Sequence, residues 1–222
     1  MLSLVIAESA LELVPKELQN HNSVLASARK FNKKPSEILL DVSWHFAAMK
    51  KIKNEIKRGR PDLVHFCLLE ACSIPIYFEN RLQVFVHTID DMVIFFDQSV
   101  RLPKSYHRFA GLVEKLYLEG KIEEDGTRLL EIKKMNFYDL IKKINPKQVI
   151  GLSSKGISSS YQQLAEEADK DTCIVIGGFA KGQFSDNIKK RFDKMTSVDK
   201  NPLEAHIIIS RILYECEKRI IM

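Results

Sequence analysis

Between Gln148 and the end of the chain, three short apolar runs alternate with loops of small residues and helix-like stretches. Gln148 to Leu152 leads into Ser153-Ser154-Lys155-Gly156. Thr172 to Ile176 leads into Gly177-Gly178-Phe179-Ala180-Lys181-Gly182. Lys194 to Val198 leads into Asp199-Lys200-Asn201-Pro202-Leu203 and a long apolar helix. Strand, loop and helix in this alternation build parallel βαβ units, whose loops gather at the carboxyl ends of the strands. The reading is an α/β fold, a mostly parallel sheet flanked by helices, with three loops framing one pocket.

Gly177 and Gly182 have the spacing of a P-loop, as do Gly151 and Gly156. A P-loop continues with Lys and then Ser or Thr to reach the terminal phosphates and hold Mg²⁺. Here Gln183-Phe184 and Ile157-Ser158 follow, and no G-x-G-x-x-G is present. What remains is backbone that a flat ligand can approach closely, with Leu152, Ile176, Val198 and Leu203 to sandwich it. That suits a nucleoside better than a triphosphate.

The rest of the chain reads as one domain over residues 1–222. Leu2 to Ala7 is a buried first strand, and residues 20–35 are polar and loop-like at both ends. A helix runs from Trp44 to about Lys57, capped by Asp41 or Ser43, and its terminal Lys50, Lys51, Lys53, Lys57 and Arg58 complement the helix dipole. Leu63 to Cys72 is a continuous apolar run, as in a central parallel strand. Leu82–Thr88 and Met92–Asp97 alternate around Ile89-Asp90-Asp91 and predict an inserted antiparallel hairpin within residues 81–100. A helix from Tyr106 to Leu118, a charged turn over Glu119–Asp125, a strand near Thr127–Ile132 and a helix near Phe137–Ile144 complete the first half.

A net charge of +5 over 222 residues suits a polyanionic partner without specifying one. Cys67, Cys72, Cys173 and Cys216 form no C-x-x-C pair and lie in apolar runs, so reduced, buried thiols are expected, with no disulfide and no metal site shared with His65. Without a signal peptide or membrane span, the expectation is a soluble, cytoplasmic protein.

Two basic constellations stand outside the loops. In Arg60-Pro61-Asp62, read as entering a strand, residues two apart share a face, so Asp62 can hold the Arg60 guanidinium as a fixed fork for a phosphate or base edge. An ordinary surface ion pair is the plain alternative. In Arg101-Leu102-Pro103-Lys104-Ser105-Tyr106-His107-Arg108-Phe109, a helix beginning after Pro103 would put Lys104 and Arg108 one turn apart, with Arg101 just ahead, as three cations along a nucleic-acid backbone. Tyr106 and Phe109 offer stacking surfaces, although Phe109 also fits plain core; His45 and His107 read as structural.

The IGGF-x-x-G, LSSKG and NPLEA segments resemble the three cofactor loops of SPOUT-class methyltransferases. With Arg58-Gly59-Arg60-Pro61-Asp62, the RLPKSYHRF segment and Asp41 to Lys50 (DVSWHFAAMK), the whole chain is similar to the nucleolar essential protein family of small-subunit rRNA pseudouridine methyltransferases. The resemblance implies a carboxyl-terminal trefoil knot over residues 146–222, S-adenosylmethionine as methyl donor, and transfer to N1 of a pseudouridine during ribosome biogenesis. It implies a cofactor site at Leu152, Ser153, Gly177, Gly178, Gly182, Thr196, Ser197, Val198, Asn201 and Leu203, and rRNA contacts at Arg60, Arg101, Lys104 and Arg108. Lys104 stands where the family usually has arginine, which keeps charge but not a bidentate fork.

Asp62 is the obvious base on paper. Pairing with Arg60 should lower its pKa and make it a poor match for a weakly acidic ring N–H, so it reads as the residue that orients Arg60, and the base stays unassigned. The last helix carries a wide apolar surface, including Ile207, Ile208, Ile209, Ile212, Leu213 and Cys216, which with the family predicts a homodimer; ribosomal assembly proteins are further partners by the same resemblance. A nucleotide-using α/β protein, a SPOUT enzyme for another RNA and a non-enzymatic assembly factor are the competing readings.

Overall fold

The computed structural model describes residues 1–50 and 52–220. All eight residues of β1 (Leu2–Ser9) are buried, as in a strand covered on both faces. Parallel to it run β2 (Leu82–Thr88) on one side and β7 (Thr172–Gly177) on the other, with Val5 opposite both Phe85 and Val175. The sheet continues in parallel through β6 (Gln148–Ser158) to β8 (Lys194–Ser197), and in antiparallel fashion from β2 through β3 (Met92–Phe96) and β5 (Thr127–Lys134) to β4 (Lys121–Glu124). The order β4-β5-β3-β2-β1-β7-β6-β8 thus joins the expected parallel core to the expected hairpin.

Alternate residues of the central strands feed opposite layers. Leu4, Ile6, Val84, Ile174 and Ile176 pack in the larger core, together with helices α3 (Pro61–Ala71), α4 (Pro75–Phe78), α5 (Tyr106–Glu119), α7 (Tyr161–Glu167) and α9 (Ala205–Ile220). Val5, Ala7, Phe85 and Val175 face α6 (Phe137–Ile144) and the short α8 (Asp186–Lys189). A satellite core of Val14, Val24, Ala28, Leu40 and Met49 joins α1 (Asn22–Phe31) to α2 (Val42–Met49). Among the described residues, no helix is long and apolar enough to cross a membrane.

Four sequence expectations are corrected. Leu63–Cys72 is helix α3 rather than a strand: Leu63, Val64, Cys67, Leu68 and Ala71 are buried at helical spacing, while Phe66 is exposed. Pro61 opens it at the first helical position, where its missing N–H costs nothing. The helix at 44–57 is only α2, capped by Asp41, which accepts the Ser43 N–H at 2.8 Å. Its supposed dipole cations do other work, since Lys57 pairs with Glu8 at 2.7 Å and Arg58 with Glu12; Lys51 lies outside the described residues. The charged stretch after Glu119 is edge strand β4, and Ser153–Gly156 is a continuation of β6 across an irregularity rather than a loop. The 20–35 segment is loop-like at both ends as expected, with α1 between them.

Candidate active site

The middle of β6 at Leu152–Ser154 and the carboxyl ends of β7 and β8 open into one cavity of about 510 Å³. Leu152, Ser153, Gly177, Gly182, Thr196, Ser197, Val198, Asn201 and Leu203 all line it. The segments are tied across its rim, Ser153 Oγ donating to Gln183 Oε1 at 2.9 Å and Ser197 Oγ to the Asp199 carbonyl at 2.8 Å. Leu152, Ile176, Val198, Leu203 and Ile208 supply apolar walls. Thr196 is fully buried, yet its hydroxyl has no hydrogen-bond partner among the described residues. A buried hydroxyl is normally satisfied, so one left open at a cavity wall fits a ligand's polar atom. The donor set therefore suits an adenosine-sized group with a polar edge, as S-adenosylmethionine requires.

Two glycines separate in role. Gly182 has φ +108°, a conformation that side chains rarely adopt, and turns the loop beside Lys57. Gly178 does not line the cavity: it joins β7 to β1, donating to the Ala7 carbonyl and accepting from the Ala10 N–H, both at 2.8 Å. A Cβ there would lie 2.2 Å from Ser9 Oγ, so its small size is required by strand packing.

Arg60 is the residue immediately before α3, and its side chain donates through Nε and Nη2 to the two carboxylate oxygens of Asp62 at 2.8 and 2.9 Å. The pair expected from a strand is thus made by the first turn of a helix. Hydrogen bonding to Asp62 raises the Arg60 pKa, and the charge of Glu204 adds to the effect. Glu204 and Leu63 both line the cavity, so the fork stands at its mouth with about a third of each side chain in solvent.

The second basic segment is only partly as expected. Ser105 precedes α5, so Lys104 lies ahead of the helix and Arg108 in its first turn, and the two share no helix face. Both are exposed, and neither has a hydrogen-bond or ion-pair partner among the described residues. Arg101 lies against the Phe78 ring at 4.9 Å and donates to the Val100 carbonyl at 3.1 Å. Phe109 is core, 1% exposed, and stacks on His65 at 4.3 Å. His45 is structural, bonded to Ser27 Oγ at 2.8 Å.

Sequence reasoning passed over two kinds of contributor. Phe179 and Asp199 line the cavity from within the loops that had been singled out, and Gln183 from just beyond one of them. His65 Nε2 donates to the Pro103 carbonyl at 2.8 Å, fastening the Arg101–Arg108 segment to α3 and so to Arg60; with Leu63–Cys72 read as a strand, no signal pointed to it. Burial pushes the thiols of Cys72, Cys173 and Cys216 up to about 12 and raises Cys67 as well, so none supplies a thiolate. No group of three metal-ligating side chains exists among the described residues.

A family model described as EMG1/NEP1 methyltransferase matches residues 4–217. The ribosomal RNA small subunit methyltransferase Nep1 of Staphylothermus marinus is 41% identical over 218 residues, covering 97% of this chain and 95% of that one. The protein of the same name from Pyrococcus furiosus is 36% identical over 223 residues, with 99% and 98% covered. The crystal structure of Archaeoglobus fulgidus Nep1 bound to S-adenosylhomocysteine superposes with a TM-score of 0.88 at 34% identity, covering 97% of each chain.

Proposed function

Because this chain belongs to the EMG1/NEP1 methyltransferase family, we propose that the atom it methylates is N1 of a pseudouridine in small-subunit rRNA. It is an S-adenosylmethionine-dependent methyltransferase acting on that rRNA. The observation that carries the finer reading is the first turn of α3. Arg60 and Asp62 form the fork there, while Leu63, the next residue, is in the cavity wall. One turn of backbone thus fixes a base- or phosphate-reading cation against the place where the donor lies.

The donor, when bound, supplies an electrophilic sulfonium methyl. The walls Leu152, Ile176, Val198 and Leu203 would hold its adenosine, with Thr196 Oγ1 as a waiting polar partner. Positioning is the main contribution left to the protein. Both Asp62 oxygens already accept from Arg60, so service as a base would cost that pair; Asp62 is a positioning residue for Arg60. Arg101, Lys104 and Arg108 would follow the RNA backbone.

The decisive experiment incubates two synthetic rRNA hairpins, one with pseudouridine and one with uridine in the loop, with protein and S-adenosylmethionine, followed by mass spectrometry. Methylation of the pseudouridine hairpin alone is expected. Equal methylation of both would refute the N1 assignment.

Assembly as a homodimer belongs to the same proposal. Most of the apolar surface of α9 is used internally, with Ile209, Ile212, Leu213 and Cys216 buried. Ile207 at 38% and Tyr214 at 54% exposure remain two turns apart on one face, beside Phe66 of α3 at 49%. A second copy would cover them. A trefoil knot over residues 146–222 is part of the same proposal and rests on the family; the strand order β7-β6-β8 is compatible with it. An experimental structure with an unthreaded chain there would remove it.

A further inference from the structure

A second cavity, of about 320 Å³, lies between α1, α2 and α5. Its walls are aromatic. Phe31 and Trp44 meet edge to face at 5.4 Å and are 37% and 38% exposed. Its floor is hollowed by Gly111, which stands mid-way along the 14-residue α5, where glycine costs about 1 kcal/mol relative to alanine. A Cβ built on Gly111 meets nothing within 4 Å, so the space above that helix backbone is open. A satellite core closing on itself would fill such space and cover its rings.

The polar groups are fixed in place. Tyr106 donates to the Asp41 carboxylate, and Glu114 accepts the Leu39 N–H at 2.9 Å while pairing with Lys33. At the rim, the Lys30 ammonium stands 4.2 Å from the Trp44 ring. Flat rings within and cations at the edge are the combination that holds a base with its phosphate. The hollow also adjoins the rRNA face assigned above. Tyr106 lies between Lys104 and Arg108 in sequence, and the Val42 N–H at the start of α2 donates to the Gly59 carbonyl, next to Arg60, at 2.9 Å.

From this continuity and the exposed aromatic walls, we propose that the hollow holds one unpaired base of the rRNA other than the base that is methylated. The proposal rests on rRNA being the substrate. It places a second point of recognition on the satellite helices, away from the donor cavity, so that the RNA is gripped on either side of Tyr106.

The test uses the full chain and an RNA hairpin carrying pseudouridine in its loop. Gly111→Leu fills the hollow and improves the helix, so thermal stability and S-adenosylmethionine affinity should hold, while hairpin affinity falls about tenfold, the scale of one lost stacked base. Trp44 is the only tryptophan in the sequence, so its fluorescence reports the site directly. The hairpin should change its emission in the parent, and a fully paired duplex of equal charge should not. Should Gly111→Leu fail to fold, Phe31→Ser and the parent's fluorescence give the same decision. Unchanged hairpin affinity with unmoved Trp44 emission, while Arg60→Ala still weakens binding, overturns the hollow and leaves the rRNA reading intact. An equal response to the duplex also overturns it. A parent that binds no RNA removes both.

Discussion

Removing Arg58 tests how the segment that carries Arg60 is held. The Arg58 guanidinium donates through Nε to Glu12 Oε1 at 2.7 Å and through Nη2 to the other oxygen. The two side chains are 14% and 3% exposed, so this is a buried pair. Burial raises the Glu12 pKa even though Arg58 pulls it down, so the site is already costly for a carboxylate. Arg58→Ala leaves that carboxylate without its cation, a class of change that destabilises by about 3–5 kcal/mol. The loss should depend on pH. A glutamate whose folded pKa lies above its unfolded value binds more protons in the folded state, so stability declines as pH rises through the folded pKa. The penalty of Arg58→Ala should therefore be small near the ordinary glutamate range and grow toward pH 8, as Glu12 is forced to ionise. Urea unfolding of the parent, Arg58→Ala and the double variant Glu12→Leu with Arg58→Met at both pH values reads this out. The double variant should recover much of the loss, because it buries no charge. A cost below about 1 kcal/mol at pH 8, or a cost indifferent to pH, would refute the reasoning.

Arg60→Ala should weaken hairpin binding by about 1–3 kcal/mol with donor affinity unchanged, and Asp62→Ala should match it if Asp62 only orients the fork. Loss of single-turnover methylation in Asp62→Ala at parental RNA affinity would instead make Asp62 the base. Light scattering at micromolar concentration should give twice the mass of one chain; a monomer would contradict the proposed assembly, and Tyr214→Lys should shift the parent dimer toward it.

The carboxyl-terminal third was legible because two signals agreed there: apolar runs of strand length, and segments of small residues after them, of which only Ser153–Gly156 continues as strand. Nine of the ten residues expected around the donor line a single cavity. The exception, Gly178, shows the limit of the signal, since a glycine required by Ser9 beneath it looks the same in sequence as one required by a ligand. Leu63–Cys72 was misread because Phe66 and Leu69, which lie off the buried face, are apolar too, so the run shows no clear period in sequence. The decisive marks were Pro61 ahead of it and a length better suited to a helix, and the tertiary environment settled the rest. The basic residues from Lys53 to Arg58 misled for a related reason. Charge near a helix end suits the helix dipole, but Glu8 and Glu12 lie more than forty positions away and only the fold brings them to Lys57 and Arg58. The Arg60–Asp62 pair survived the wrong element type because both a strand and a helix cap bring residues two apart within reach.

Glu8 ties the wall of the donor cavity to the segment that leads to Arg60. It is the penultimate residue of β1 and has φ 49°, an uncommon conformation for glutamate that surrounding contacts must hold. Its carboxylate accepts from the Lys57 ammonium at 2.7 Å and from the Ser185 N–H at 3.2 Å, and its own N–H donates to His87 Nδ1 at 3.3 Å. The same Lys57 ammonium stands 4.4 Å from the Phe179 ring, which lines the donor cavity, and its stem lies where a side chain on Gly182 would meet it. The end of the central strand thus anchors the glycine loop from one side and the segment leading to Arg60 from the other. Because a packed interior transmits displacement rather than absorbing it, a shift of the glycine loop moves Lys57, and Lys57 lies three residues before Arg60. The carboxylate that holds Lys57, three residues before Arg60, thus also holds Ser185, just beyond the glycine loop.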